Sequence, residues 1–387
     1  MTPAFARLRD GLADLGQQQA LRRRRILDGH QGVHVRLDGR DMLSFCSNDY
    51  LGLASHADLI DAACMALPEL GVGAGASHLL TGHQRAHHAF EQAFARAVGL
   101  PAALLFSTGY MANLGVVTAL VDRHGVVYSD RLNHASLNDA DLLSRAKVVR
   151  YPHGDLDALA RLMQEPVRGQ RLVVVDAVFS MDGDQADLPG LLALCEQHDA
   201  WLLVDDAHGF GVLGPQGRGS LAHFGLSSPR LIYMATLGKA AGVAGAIVAG
   251  DTLVVDWLVQ KARTAIYTTA SPGFLASVLL ESLRLVVAAD ALRDNLRQRI
   301  AQLRQGLLAD GWRVMDSATA IQPVVVGSNE AVLRLSSALE AQGVLVPAIR
   351  PPTVPQGTAR LRITLSAAHQ ASDIDRLLSA LRPLRME

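Results

Sequence analysis

Lys239 sits in MATLGKAAGVAG, a lysine among small apolar residues directly after an apolar run. Loss of water at such a place lowers an amine's pKa and favours its nucleophilic neutral form. Taken alone, it is most simply a lysine that snorkels to the surface, because lysines are seldom fully buried. Its company changes that reading. About one βα unit earlier, LLVDDAHGFGVLG ends an apolar run in Asp205 and Asp206 and then places His208. A strand-ending aspartate, a lysine one unit later and a Gly-containing loop earlier make up the set that holds pyridoxal phosphate. The amine condenses with the aldehyde, and the carboxylate keeps the pyridine nitrogen protonated so that the ring accepts electrons from a carbanion. Asp205 then needs no basic neighbour in sequence, and His208 is placed to reach the phenolic oxygen. Asp206 is equally well read as a helix cap.

The cofactor's phosphate needs N–H donors and a helix N-terminus. FSTGYMANLG supplies a run end followed by Ser107, Thr108, Gly109 and Tyr110 opening a helix-like stretch, although this is also the commonest N-cap chemistry. Thr236, three residues before Lys239, adds a hydroxyl. Ser180 and Asp176 follow another apolar run, and His134, in DRLNHASL, stands where an imidazole can stack on the cofactor ring. In RLRITL, Arg362 offers a planar two-pronged donor for a substrate carboxylate, against the plainer reading that Arg360 and Arg362 line the solvent face of a strand. Asn48, in SNDYLGL, either helps with that carboxylate or forms a turn. Arg22 to Arg25 read as a solvated helical face, part of which is suited to the phosphates of CoA or to an acidic carrier protein. The Gly-rich stretch GVGAGASHLLTGH follows no β-branched run and is a poor dinucleotide fingerprint.

These residues need a frame. Short apolar runs recur at 103–106, 126–130, 147–150, 171–176, 201–206, 231–236 and 245–250, each followed by a helix-like segment. Runs apolar on both faces and alternating with helices predict a largely parallel sheet covered on both sides, with ligands beyond the carboxyl ends of its strands. After about residue 288 strands and helices mix as in a smaller α+β domain. The expected division is a large domain over 41–288, and an N-terminal arm, 1–40, joined with a small domain over 289–387. Residues 1–28 carry Phe5, Leu8, Leu12 and Leu15 at helical spacing, which predicts an amphipathic arm closed by Gly29.

The chain has 387 residues, 49% hydrophobic and 19% charged, with a net charge of -1, so no global field draws it to nucleic acid or an anionic membrane. Cys46, Cys64 and Cys195 are too scattered for a disulfide framework or a zinc pattern, and no metal site is expected. The N-terminal segment lacks a signal-peptide pattern, and a cytoplasmic location is expected.

In this order, SNDYLGL, FSTGYMANLG, DRLNHASL, VFSMDGD, VDDAHGFGVLG and TLGKA resemble the pyridoxal-phosphate-dependent α-oxoamine synthases, from about Leu21 to the last helix. The resemblance implies the aspartate-aminotransferase-like type I fold, with a mostly parallel seven-stranded sheet and a small α+β domain. It also implies a homodimer, and an acyltransferase that joins an acyl thioester to an amino acid with loss of carbon dioxide. It makes Lys239 the Schiff-base lysine, Asp205 the pyridinium partner, His208 the contact to the phenolic oxygen and His134 the stacking residue, so that Lys239, His134 and Asp205 form the catalytic set. Ser180, Thr236, Gly109 and Tyr110 complete the cofactor site, while Arg22 and Thr353 match substrate-contacting positions beside His134, Asn48 and Arg362. SATAIQPVVVG and AIRPPTVPQGTARLRITLSAAH look like one member in particular. That likeness implies L-alanine and a pimeloyl thioester, carried on CoA or acyl carrier protein, as substrates. Sister members use glycine or serine. One departure is local: the loop 71–83 reads GASHLLTGH where some relatives have a run of Gly and Ser before the histidine, so the resemblance assigns His78 no role.

Overall fold

The computed structural model describes residues 3–18 and 21–385. Seven strands form the main sheet, in the order Ala102–Phe106, Ala246–Gly250, Leu231–Thr236, Ala200–Asp205, Arg171–Asp176, Val126–Asp130 and Lys147–Tyr151. Every pairing is parallel except those of Ala246–Gly250, which runs antiparallel to both neighbours. The apolar runs are continuous because both faces are covered. Leu172, Val174 and Leu203 enter one apolar cluster, while Val173, Val175, Leu202 and Val204 enter the other, the period of two that a pleated strand imposes.

The antiparallel strand explains where Lys239 comes to lie. Residues 237–245 turn back directly from Leu231–Thr236 to Ala246–Gly250 and carry the lysine in the turn. Gly242 holds a φ of 69°, and a Cβ there would come within 2.6 Å of the Leu53 backbone. Only glycine lets this turn seat against the SNDYLGL segment.

The chain's two ends share the smaller sheets. Leu27–Asp28, His34–Leu37 and Arg40–Ser44 form a sheet with Val344–Leu345, and Ile321–Gly327, Ala359–Thr364 and Ala348–Ile349 form another. The Phe45 carbonyl accepts the Thr364 N–H at 2.8 Å and ties the two together.

The N-terminal arm differs from the expected one. Its helix spans Pro3–Gln17 and ends well before Gly29; Phe5, Leu8, Leu12 and Leu15 are all exposed. Strand pairing captures the segment that follows. Ile26 N–H donates to Asp38 Oδ1 at 2.9 Å, Asp38 N–H returns a bond to the Ile26 carbonyl at 2.7 Å, and Arg25 pairs with Asp38 at 2.7 Å and Glu340 at 2.9 Å. The arginine run is therefore not a helical face. The three cysteines are free, and among the described residues no helix is long and apolar enough to cross a membrane.

Candidate active site

At the carboxyl ends of two neighbouring parallel strands, Asp176 and Asp205 sit side by side in register. Both are buried. Asp205 Oδ2 accepts from Asn113 Nδ2 at 2.7 Å and Oδ1 from the Ala207 N–H at 3.0 Å. Asp176 Oδ2 accepts the His134 backbone N–H at 2.9 Å, and burial beside Asp205 raises its carboxyl well above the usual range. Burial beside a second carboxyl favours the neutral form of Asp176. Among the described residues Asp205 has no side-chain cation at ion-pair distance.

Lys239 lies on the same corner. Its Nζ stands 2.9 Å from His208 Nε2, whose ring reaches Tyr50 Oη through Nδ1 at 2.5 Å. Tyr50 Oη donates to Asn48 Oδ1 at 3.2 Å, and Arg362 Nη1 and Nη2 donate to the same oxygen at 3.4 and 3.3 Å. One proton arrangement satisfies the whole chain: Nζ–H to Nε2, Nδ1–H to the tyrosine oxygen, and the phenol to the asparagine. Desolvation, with Lys239 and Arg362 nearby, holds His208 well below its ordinary pKa, which keeps Nε2 an acceptor. Desolvation also brings Lys239 down to about 8 despite the opposing pull of Asp205 and Asp176. Burial pushes the Tyr50 phenol up to about 12, so it stays a donor.

A cavity of about 190 Å³ opens on these groups, and Gly109, Tyr110, His134, Ser180, Asp205, His208, Thr236 and Lys239 all line it. The helix Gly109–Leu120 begins at its wall, capped by Thr108, whose Oγ1 accepts the Met111 N–H at 3.1 Å. His134 caps the helix Ala135–Leu143, its Nδ1 accepting the Ser136 N–H at 3.2 Å, and desolvation lowers its pKa. The residues singled out from sequence for the cofactor thus come together in one space.

Those singled out for substrate divide. Arg362 is buried and joins the network through Asn48, with Nε donating to the Ser180 carbonyl at 2.6 Å. Arg360 is buried too, paired with Asp182 at 2.6 Å, so neither arginine lies on a solvent face. Their shared face of the strand Ala359–Thr364 is covered by the 180–182 segment, where Arg360 Nη1 donates to the Met181 carbonyl at 3.3 Å beside its pair with Asp182. Arg22 and Thr353 are exposed and do not line the cavity. Two further residues were missed from sequence. Asn113, a fully buried polar side chain in a largely apolar helix, orients Asp205, and Tyr50 links His208 to Asn48.

The model for class I and II aminotransferases matches residues 40–381. The chain belongs to that family. Within it, the chain is 57% identical to an 8-amino-7-oxononanoate synthase of Methylobacillus flagellatus, over 99% of this chain and 97% of that protein. Identity to the 8-amino-7-oxononanoate synthase of Nitrosomonas europaea is also 57%, covering 98% and 99%. Among solved structures, a serine palmitoyltransferase variant from S. paucimobilis with bound PLP–myriocin aldimine superposes with a TM-score of 0.92. It is 29% identical, and the match covers 98% of this chain and 97% of that one. The resemblance read from the motifs and the type I fold are both borne out.

The residues present fit pyridoxal phosphate. A buried carboxylate with no cationic partner suits a ring nitrogen carrying a proton, a helix N-terminus suits a phosphate, and a neutral-leaning amine suits an aldehyde. Of the chain's three lysines, Lys147 and Lys261 are exposed elsewhere, so this aminotransferase-family cavity has a single candidate amine.

Proposed function

We propose that the chain is a pyridoxal-phosphate-dependent acyltransferase that condenses L-alanine with a pimeloyl thioester. The products are 8-amino-7-oxononanoate, carbon dioxide and the free thiol of CoA or acyl carrier protein, a step of biotin biosynthesis. The observation that carries this reading is the coincidence of near-full-length likeness to 8-amino-7-oxononanoate synthases with one cavity holding Lys239, His208 and Asp205.

When bound, pyridoxal phosphate supplies an aldehyde for an amine and a ring that takes up an electron pair from the carbon beside that amine. The protein's residues do the rest. Lys239 would hold the aldehyde, and as a free amine with its pKa brought down to about 8 it would serve as the base for the α-proton of alanine. Asp205, oriented by Asn113 and the Ala207 N–H, would meet the ring nitrogen's charge. His134 would lie against the ring, and Ser180 and Thr236, which line the same cavity, would add polar contacts. Neutral His208 accepts from Nζ and passes the alignment to Tyr50 and Asn48.

Arg362 receives the alanine carboxylate. Its contacts to Asn48 at 3.3 and 3.4 Å are longer than a good N–H···O bond, so exchanging them for a charge-assisted pair costs little. Arg22 and Thr353, outside the cavity, belong on this reading to the path of the long acyl chain, and the unit at work is a homodimer.

The test is a panel assay of thiol and carbon dioxide release. Alanine with pimeloyl-CoA is expected to outrun glycine and serine. Faster turnover with glycine or serine would make the chain a sister α-oxoamine synthase, and no release with any amino acid would overturn the proposal.

A further inference from the structure

Four histidines and a glutamate gather where the helix Arg85–Val98 begins: His78, His83, His87, His88 and Glu91. Their bonds sort them. His87 is committed to the fold, since its Nδ1 accepts the Gln84 N–H at 3.0 Å and its Nε2–H donates to the Ser271 carbonyl at 2.9 Å. It has no lone pair left to give.

His83 is placed differently. Its Nδ1 stands 3.0 Å from His78 Nδ1, while its Nε2 lies 3.9 Å from Glu91 Oε2. Glu91 is buried, its Oε1 accepting the Leu105 N–H at 2.8 Å. Among the described residues no lysine or arginine pairs with that carboxylate. His88 stands one turn before Glu91 on the same helix, its exposed ring bonded to the Gln92 side chain at 3.0 Å, a surface contact that a stronger bond can replace. One donor atom from each of His83, His88 and Glu91 lies within 4.8 Å of the other two. Ligand atoms about 2.0–2.2 Å from a tetrahedral zinc are roughly 3.4 Å apart, so rotation of the two exposed rings closes the set.

We propose that His83, His88 and Glu91 bind one divalent transition-metal cation of the zinc class, with His78 as the outer partner that fixes the tautomer of His83. Two imidazoles and a carboxylate suit a borderline-soft cation, and the set leaves a fourth position open. The Nδ1–H of His83 directed at His78 is the kind of support that orients a ligating ring. The cation gives the buried Glu91 carboxylate its missing charge and pins the glycine-rich segment 71–83 to the helix.

Zinc chloride titrated calorimetrically into chelator-treated, cofactor-loaded protein tests this. One zinc per chain is expected. His83→Gln, His88→Gln and Glu91→Gln should each weaken binding at least about tenfold, and His78→Ala by about 10-fold through the lost support. Both histidines are exposed, and glutamine at 91 still accepts the Leu105 N–H, so the variants keep the fold. Zinc should also raise the wild-type thermal midpoint and leave that of Glu91→Gln unmoved. No binding below about 100 μM, or binding that His88→Gln leaves intact and His87→Gln or His78→Ala abolishes, would overturn the assignment.

Discussion

Lys239 Nζ and His208 Nε2 stand 2.9 Å apart with the imidazole held neutral, so the reactive amine has a built-in acceptor. That acceptor is itself aimed by Tyr50. The amine's depressed pKa and the ring's tautomer are two results of the same desolvated corner.

The pKa of about 8 has a direct kinetic consequence. With cofactor removed, the rate at which the apoprotein recaptures pyridoxal phosphate should rise with pH through a midpoint near 8. A midpoint near an ordinary lysine value would mean that the corner does not desolvate the amine.

Asp205→Asn keeps an oxygen for the Ala207 N–H, turns its NH2 toward Asn113, whose partnerless Oδ1 can swing round to accept it, and removes the charge that faces the ring nitrogen. Turnover should fall by about 10²–10³-fold, the cost of one preorganised electrostatic group. Thermal stability should change little, because a buried charge without a cationic partner is lost. Turnover within a few-fold of wild type would remove Asp205 from the mechanism.

For Arg362→Lys the expected signature is a raised KM for alanine with the acyl-donor KM unmoved, since lysine cannot present the planar fork. A lost charge-assisted bond is worth roughly 1.5–3 kcal/mol, or about 10–160-fold in kcat/KM. Equal effects on both substrates would point instead to disturbed packing around Thr364 and Ser180.

His153 lies between Asp130 at 3.0 Å and Asp184 at 2.8 Å, and their hydrogen bonds raise it to about 10. A raised pKa means that the folded state holds the proton more tightly. The stabilisation is complete below the ordinary histidine value of about 6.5, declines across the interval up to about 10 and is absent above it. His153→Gln should therefore be less stable by about 2 kcal/mol near pH 6, in urea unfolding, and match wild type above about pH 10. A gap that widens with rising pH would contradict this.

The sheet was legible because burial on both faces leaves unbroken apolar runs, and the polar residues at their ends marked the cavity. Lys239, Asp205 and His208 could be paired from sequence because each closes such a run. The relay beyond them could not. Asn48 and Arg362 are 314 positions apart and meet only because the two ends of the chain share the smaller sheets. Arg360 looked solvated because alternation alone does not say which faces of a strand are covered. Helical spacing near Phe5 to Leu15 overextends the N-terminal helix because it says nothing of Asp38, which captures Arg25 and Ile26 from a distant turn.

The central claim is that one amine carries the cofactor, and a chain with three lysines makes it unusually easy to test. Reduction of the cofactor-loaded protein with borohydride, followed by peptide mass spectrometry, should find a single phosphopyridoxyl group on the peptide containing Lys239. The same label on Lys147 or Lys261, or none on any lysine in a protein that still releases CoA from alanine and pimeloyl-CoA, would contradict it.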